Sequence, residues 1–115
     1  RSWLGTGEEQ IQTRLKPYKL VIKPEAFVDI QEGISWYDSR QEGLGTRFLE
    51  SIEQECKTIS LNPHFQIRYD EVRCLPMKAF PYMIHFIIDD DLCQVVILGV
   101  INTSKNPVNW KKRRK

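Results

Sequence analysis

The spacing of apolar residues changes period twice along the chain, and each change marks a boundary. "YKLVIKP" (Tyr18 to Pro24) is a short β-rich run that a proline ends. Phe27, Ile30, Ile34 and Tyr37 then recur at three, four and three, one face of a helix that Pro24 is suited to open. "SRQEGLG" interrupts the pattern, with Gly43 expected as the cap ending this helix. A second helical face carries Phe48, Ile52, Cys56 and Ile59, and "LNPH" stops it because the residue before Pro63 is pushed out of helical geometry. The pair predicts an antiparallel helical hairpin.

Beyond the hairpin the period shortens to that of strands. Tyr69 to Met77 is expected as one strand, weakened near Pro76. Tyr82, Ile84, Phe86 and Ile88 define one face of the next, with Met83, His85 and Ile87 on the other. Asp89–Asp91 forms a turn, and Leu92 to Ile101 is apolar almost throughout, as in a central strand covered on both faces. After a polar stretch from Asn102 to Asn106, Pro107 opens a short helix or tail carrying Trp110. The order β-α-α-β-β-β predicts an α+β domain, its helical hairpin packed on one face of a small, mostly antiparallel sheet.

At 115 residues the chain fits one domain, with 41% hydrophobic and 28% charged residues as in ordinary globular proteins. No apolar run approaches the roughly 20 residues of a membrane span, and no leader-like stretch opens the sequence, so a cytoplasmic protein is expected. Residues 1–17, polar and broken by Gly5 and Gly7, read as an appendage to a domain over 18–115, either a cloning remnant or the product of an upstream reading frame.

The net charge of +2 hides an asymmetry. Between Pro24 and Ser60 eight acids face three bases, whereas the five cations Lys111 to Lys115 alone account for the positive sign. The basic patch suits nucleic acid or an acidic partner, and equally a solubilising tail. Cys56, Cys74 and Cys93 lack CxxC spacing and read as reduced, packed thiols.

Few residues offer chemistry. Asp89–Asp91 reads as a solvated turn, His85 as a packed histidine, and four clustered zinc ligands are lacking. No cofactor or metal is expected, and no Gly-rich phosphate loop or nucleophile elbow occurs. The cations Arg68, Arg73, Lys78 and Lys105 lie in or beside the sheet. They suit either charge stabilisation in RNA cleavage or the holding of an acidic partner segment. Trp110 reads as a hydrophobic lid or as an exposed anchor for a target.

Four stretches in register resemble the RelE/ParE superfamily of bacterial type II toxins, also described as plasmid stabilisation proteins, over Tyr18 to Arg113. They are "YKLVIKPEAFVDIQEGISWYDSR", "GLGTRFLESIEQECKTISLNP", "VRCLPMKAFPYMIHFIID" and "VVILGVINTSKNPVNWKKR". Relatives commonly close with His-x-x-Arg-x-Pro-x-x-Trp-x-x-Arg. Here Asn102 and Lys105 stand at the first two places, and Pro107, Trp110 and Arg113 match. The resemblance implies a toxin neutralised by a cognate antitoxin, in a homodimer or in a hetero-oligomer with that antitoxin. A ParE-like member binds and inhibits DNA gyrase, with Trp110, Lys111, Lys112 and Arg113 as the target-binding residues. A RelE-like member enters the ribosome and cuts mRNA, with Arg73, Lys78 and Lys105 as the catalytic cations. Asn102 cannot exchange a proton near neutral pH, which favours the ParE-like branch; an inactive member is the third reading. The antitoxin footprint is expected on the helical hairpin and adjoining sheet edge, with Trp36 as an anchor. Trp3, Leu4, Ile11 and Leu15 are expected to occupy part of that groove.

Overall fold

Residues 17–104 are described by the computed structural model of the chain. Strand β1 (Lys19–Ile22) leads into helix α1 (Pro24–Arg40), and α2 (Leu44–Leu61) follows. Four strands complete the domain: β2 (Ile67–Tyr69), β3 (Val72–Pro76), β4 (Tyr82–Asp89) and β5 (Gln94–Asn102). The α+β class holds, with one strand more than the sequence pattern predicts.

The helices start and stop for local reasons. Pro24 opens α1 behind an extended Lys23, and Glu25 and Arg40 sit at the ends where the helix dipole favours their charges. Gly43 does not end α1 as expected. It is the N-cap of α2, at φ +88°, because the connection is so short that its one left-handed residue stands against the second helix. A Cβ there would meet nothing within 4 Å, so the backbone angle and not crowding calls for glycine. Asn62 terminates α2 ahead of Pro63.

The faces of the two helices differ in legibility. α2 buries Phe48, Ile52, Cys56 and Ile59 as its spacing predicts. α1 buries Ala26, Ile30, Gly33 and Tyr37, while Phe27, expected inside, is 54% exposed. Small residues explain the shift. A Cβ on Gly33 would lie 2.3 Å from Phe48 Cε2, so the ring seats directly on bare α1 backbone. Gly45 is equally close, with Ile34 O 2.5 Å from where its Cβ would be, and its N–H donates to Asp38 Oδ1 at 2.7 Å. Burying a ring such as Phe48 contributes about 1.5–3 kcal/mol.

The sheet runs β1-β5-β4-β3-β2, with β1 parallel to β5 and every other pair antiparallel. The single strand expected over Tyr69–Met77 is instead a tight hairpin. Asp70 turns at φ 48°, and Tyr69 pairs with Val72. Asp tolerates the left-handed region because its short carboxylate bonds locally. β5 begins at Gln94, later than expected, because Cys93 turns at φ 51° and Leu92 faces solvent.

The faces of β4 follow the predicted alternation. Ile84 and Phe86 join the helix-side core, and Met83 packs with Val72, Cys74 and Leu98 on the opposite side. A bulge interrupts the β4–β5 ladder between His85↔Gly99 and Phe86↔Ile97. Val95 and Ile97 therefore face the helices before Leu98, and Val100 faces them after it. This slip re-aims the C-terminal half of β5 toward α1.

Candidate functional site

The re-aimed end of β5 meets α1 beyond the reach of β1. β1 pairs with β5 only as far as Ile22↔Ile97, and Lys23 N–H adds one more bond to Ile97 O at 3.0 Å. Past that point the Asp29 carboxylate accepts the Val100 N–H at 3.0 Å. A cleft of about 440 Å³ opens beside this contact. Asp29, Glu32 and Trp36 line its helical wall, and Tyr82, Ile101 and Asn102 its sheet wall.

Aromatic packing sets the shape of the cleft. Tyr37 lies 5.1 Å from Phe48, 4.9 Å from Phe80 and 6.2 Å from Tyr82, ring centre to ring centre. Burial pushes its phenol above the ordinary value, with Tyr82 adding to the effect, so Tyr37 stays neutral. Trp36 stacks edge-on against Tyr37 at 5.0 Å yet keeps half its surface exposed. The Arg40 guanidinium sits 4.5 Å from the centre of the Trp36 ring, in range of a cation–π contact.

Asn102 closes one end of the cleft as a turn former. Its Oδ1 accepts from Ser104 N–H at 2.9 Å and from Ser104 Oγ–H at 2.6 Å. Such a side-chain turn fixes the direction in which the chain leaves β5.

The structure separates the described cations. Arg73 stands near the start of β3 opposite Phe86, and its Nε–H donates to Phe65 O at 2.6 Å, tying down the loop after α2. Lys78 lies beyond the other end of β3, its side chain exposed and its N–H donating to the buried Glu55 carboxylate at 3.2 Å. Lys105, Trp110, Lys111, Lys112 and Arg113 lie outside the described residues, as do Trp3, Leu4, Ile11, Leu15 and the expected C-terminal helix. Trp36 stands on the hairpin and borders the sheet end.

Two further clusters carry titratable groups. On the sheet face away from the helices, Tyr69 Oη and Cys74 Sγ approach His85 Nδ1 at 3.0 and 3.5 Å. Burial pushes the Cys74 thiol up to about 11, so it holds no thiolate at neutral pH. At the β4–β5 turn, Asp90 Oδ1 accepts from Tyr18 Oη–H at 2.7 Å and lies 3.3 Å from His64 Nε2. The Tyr18 bond, then His64, holds the Asp90 carboxyl below its usual range, and the same bond raises the Tyr18 phenol. Asp90 thereby joins β1, the α2–β2 loop and the β4–β5 turn.

Among the described residues no helix is long and apolar enough to cross a membrane, and no group of three or more His, Cys, Asp and Glu could hold a metal. Sequence reasoning did not single out Asp29, Glu32 or Tyr82 for the cleft. The available signal was Glu25, Asp29 and Glu32 at helical spacing on the same helix as Trp36.

A helical hairpin on one face of a five-stranded sheet, with the first strand parallel to the last, defines a small α+β class. No protein-family model and no curated protein matches the chain. Solved structures do. A structure of the chromosomal ParDE toxin–antitoxin system from P. aeruginosa aligns over 76% of this chain and 97% of its own, at TM-score 0.67 and 15% identity. The toxin–antitoxin complex RelBE2 from Mycobacterium tuberculosis aligns over 77% and 94%, at TM-score 0.56 and 20% identity. The isolated E. coli RelE toxin aligns over 84% and 96%, at TM-score 0.57 and 12% identity. The chain has the RelE/ParE superfamily fold.

Proposed function

We propose that the chain is the toxin of a type II toxin–antitoxin pair, acting in the cytoplasm by binding a target such as DNA gyrase and neutralised by a cognate antitoxin. The likeness to ParDE and RelBE structures supports the toxin role. Asn102 carries the choice of binding over catalysis. It stands where a nuclease of this build would need a proton-exchanging side chain, and its carboxamide is engaged in the turn to Ser104. In this reading Trp110, Lys111, Lys112 and Arg113 meet the target, and Trp36 meets the antitoxin.

A ribosome-dependent mRNA endonuclease is the second reading, supported by the likeness to E. coli RelE. Its cations would be Arg73, Lys78 and Lys105. Pulse labelling of DNA and protein synthesis after induced expression in growing bacteria separates the two. Early loss of DNA synthesis, abolished by removing residues 110–115, is the expected result. Early loss of protein synthesis, abolished by alanine at Arg73, Lys78 and Lys105, would establish the nuclease instead. Loss of neither would mark an inactive member of the fold.

A further inference from the structure

We propose that the sheet face turned away from the helices is a second core closed by the chain's own residues 105–115, with Trp110 seated on it and the cations after Trp110 drawn to the acidic turns at its far end. Val72, Cys74, Met83 and Leu98 form this cluster, and all four are buried, as is His85 beside them. An antiparallel sheet face without a cover stays open to water, and a second apolar cluster of this kind lies under another stretch of chain. Yet among the described residues every hydrophobic member of the cluster, Tyr69, Ile87 and Val96 included, belongs to a strand. The cover therefore comes from outside the described residues.

Burial deepens toward the end of the face where residue 105 begins. Val21, Val96 and Ile87 pair in one row across β1, β5 and β4, and all three are half-buried. Nearer Asn102, Leu98, His85 and Met83 are only 4%, 1% and 7% exposed. Residues 1–16 join β1 at the opposite end, where Lys19 is exposed. The gradient thus favours the C-terminal segment over the N-terminal one.

Reach and charge agree with that occupant. From Asn102 back to Gln94 the face runs about 26 Å at roughly 3.3 Å per residue, and the eleven residues after Ser104 extend to about 36 Å. Trp110, six positions past Ser104, reaches about 20 Å, onto the apolar rows, and its ring supplies the area a cover needs. The five cations Lys111 to Lys115 then arrive where the β2–β3 and β4–β5 turns lie side by side. Asp70, Glu71, Asp89, Asp90 and Asp91 stand in or beside those turns, against Lys19, Arg68 and Arg73. The excess of carboxylates attracts a cationic tail and fixes its direction down the face. One consequence rests on the reading above: a target that uses Trp110 and Lys111 to Arg113 must first lift them from this seat, so the contact is autoinhibitory.

Cys74 lies on this face and Cys56 in the helix-side core, so the two thiols report the cover and the fold separately. The full chain and its variants are treated with a disulfide-exchange reagent, and mass spectrometry follows each cysteine. Deleting residues 105–115 is expected to speed Cys74 at least tenfold and leave Cys56 protected. Trp110→Ala, and Glu in place of all five cations, are each expected to speed Cys74 at least threefold. An unchanged Cys74 rate in any of the three would overturn the proposal. So would exposure of Cys56 in step with Cys74 in Trp110→Ala, which would mean that the residue supports the whole fold. Exposure of Cys74 on removing residues 1–16 would also overturn it, by making that segment the cover. Thiol rates read the seat whether or not the chain is toxic, whereas pulse labelling reads toxicity alone, so either reading can fail by itself.

Discussion

The Asp29 carboxylate accepts the Val100 N–H at 3.0 Å, taking the place of β1 where that strand runs out. A side chain thus completes a sheet edge that the backbone leaves open. Asp29→Ala strands a part-buried donor and is expected to cost about 1–3 kcal/mol in urea unfolding. Asp29→Asn keeps an acceptor oxygen and should recover much of the loss. Equal stability of the alanine variant and the parent would show that water replaces the carboxylate.

Gly33→Ala should destabilise although alanine is the better helix former. Propensity alone would give a gain of about 1 kcal/mol, but overpacking against a fully buried ring costs about 1–3 kcal/mol. Phe48→Leu opens room at the same point. The double variant should therefore lose less than the two single losses added together.

Thiol reactivity should divide the cysteines. Cys56 and Cys74 are buried and pushed up to about 11, chiefly by burial, while Cys93 is exposed. A disulfide-exchange reagent at neutral pH should modify Cys93 quickly and the other two only on unfolding. Fast modification of a second thiol would place an opening of the core within reach of the reagent.

Asp90 predicts an acid-sensitive joint. Its carboxyl is held low in the fold, so its contribution is present above the unfolded value of about 4 and fades as pH falls through the lower folded one. Asp90→Asn should lower Tm near neutral pH, and the difference should fade as pH falls through the lowered folded value. Tyr18, raised by the same bond, contributes below about 10 and loses its share as pH climbs through its folded value. A difference constant from acid to neutral pH would mean that the Asp90 bonds add nothing.

The legible parts of the fold were those that large side chains write. Phe48, Ile52, Cys56 and Ile59 set the α2 face, and Ile84 and Phe86 the core face of β4, because burying those groups dominates locally. The α1 face escaped for the opposite reason: Ala26 and Gly33 matter by being small, and a hydrophobic period passes over them. The β2–β3 hairpin turns on one Asp at φ 48°, which apolar spacing does not register. The exposure of Trp36 was visible, and about half of its surface is open. The cleft around it was not, since Asp29 and Val100 stand 71 positions apart and only the sheet register brings them together.

The parallel pairing of β1 with β5 has a consequence for how the protein comes into being. Lys19 waits for Gln94, about 75 positions later, and the strand that completes the pair also lies between β1 and β4. A nascent or truncated chain lacking β5 has no strand to join its first to its fourth, and its loop-closure entropy goes uncompensated. Folding thus falls after most of the chain has been translated. The sheet remains unfinished until then, and premature termination before β5 yields fragments that cannot close it.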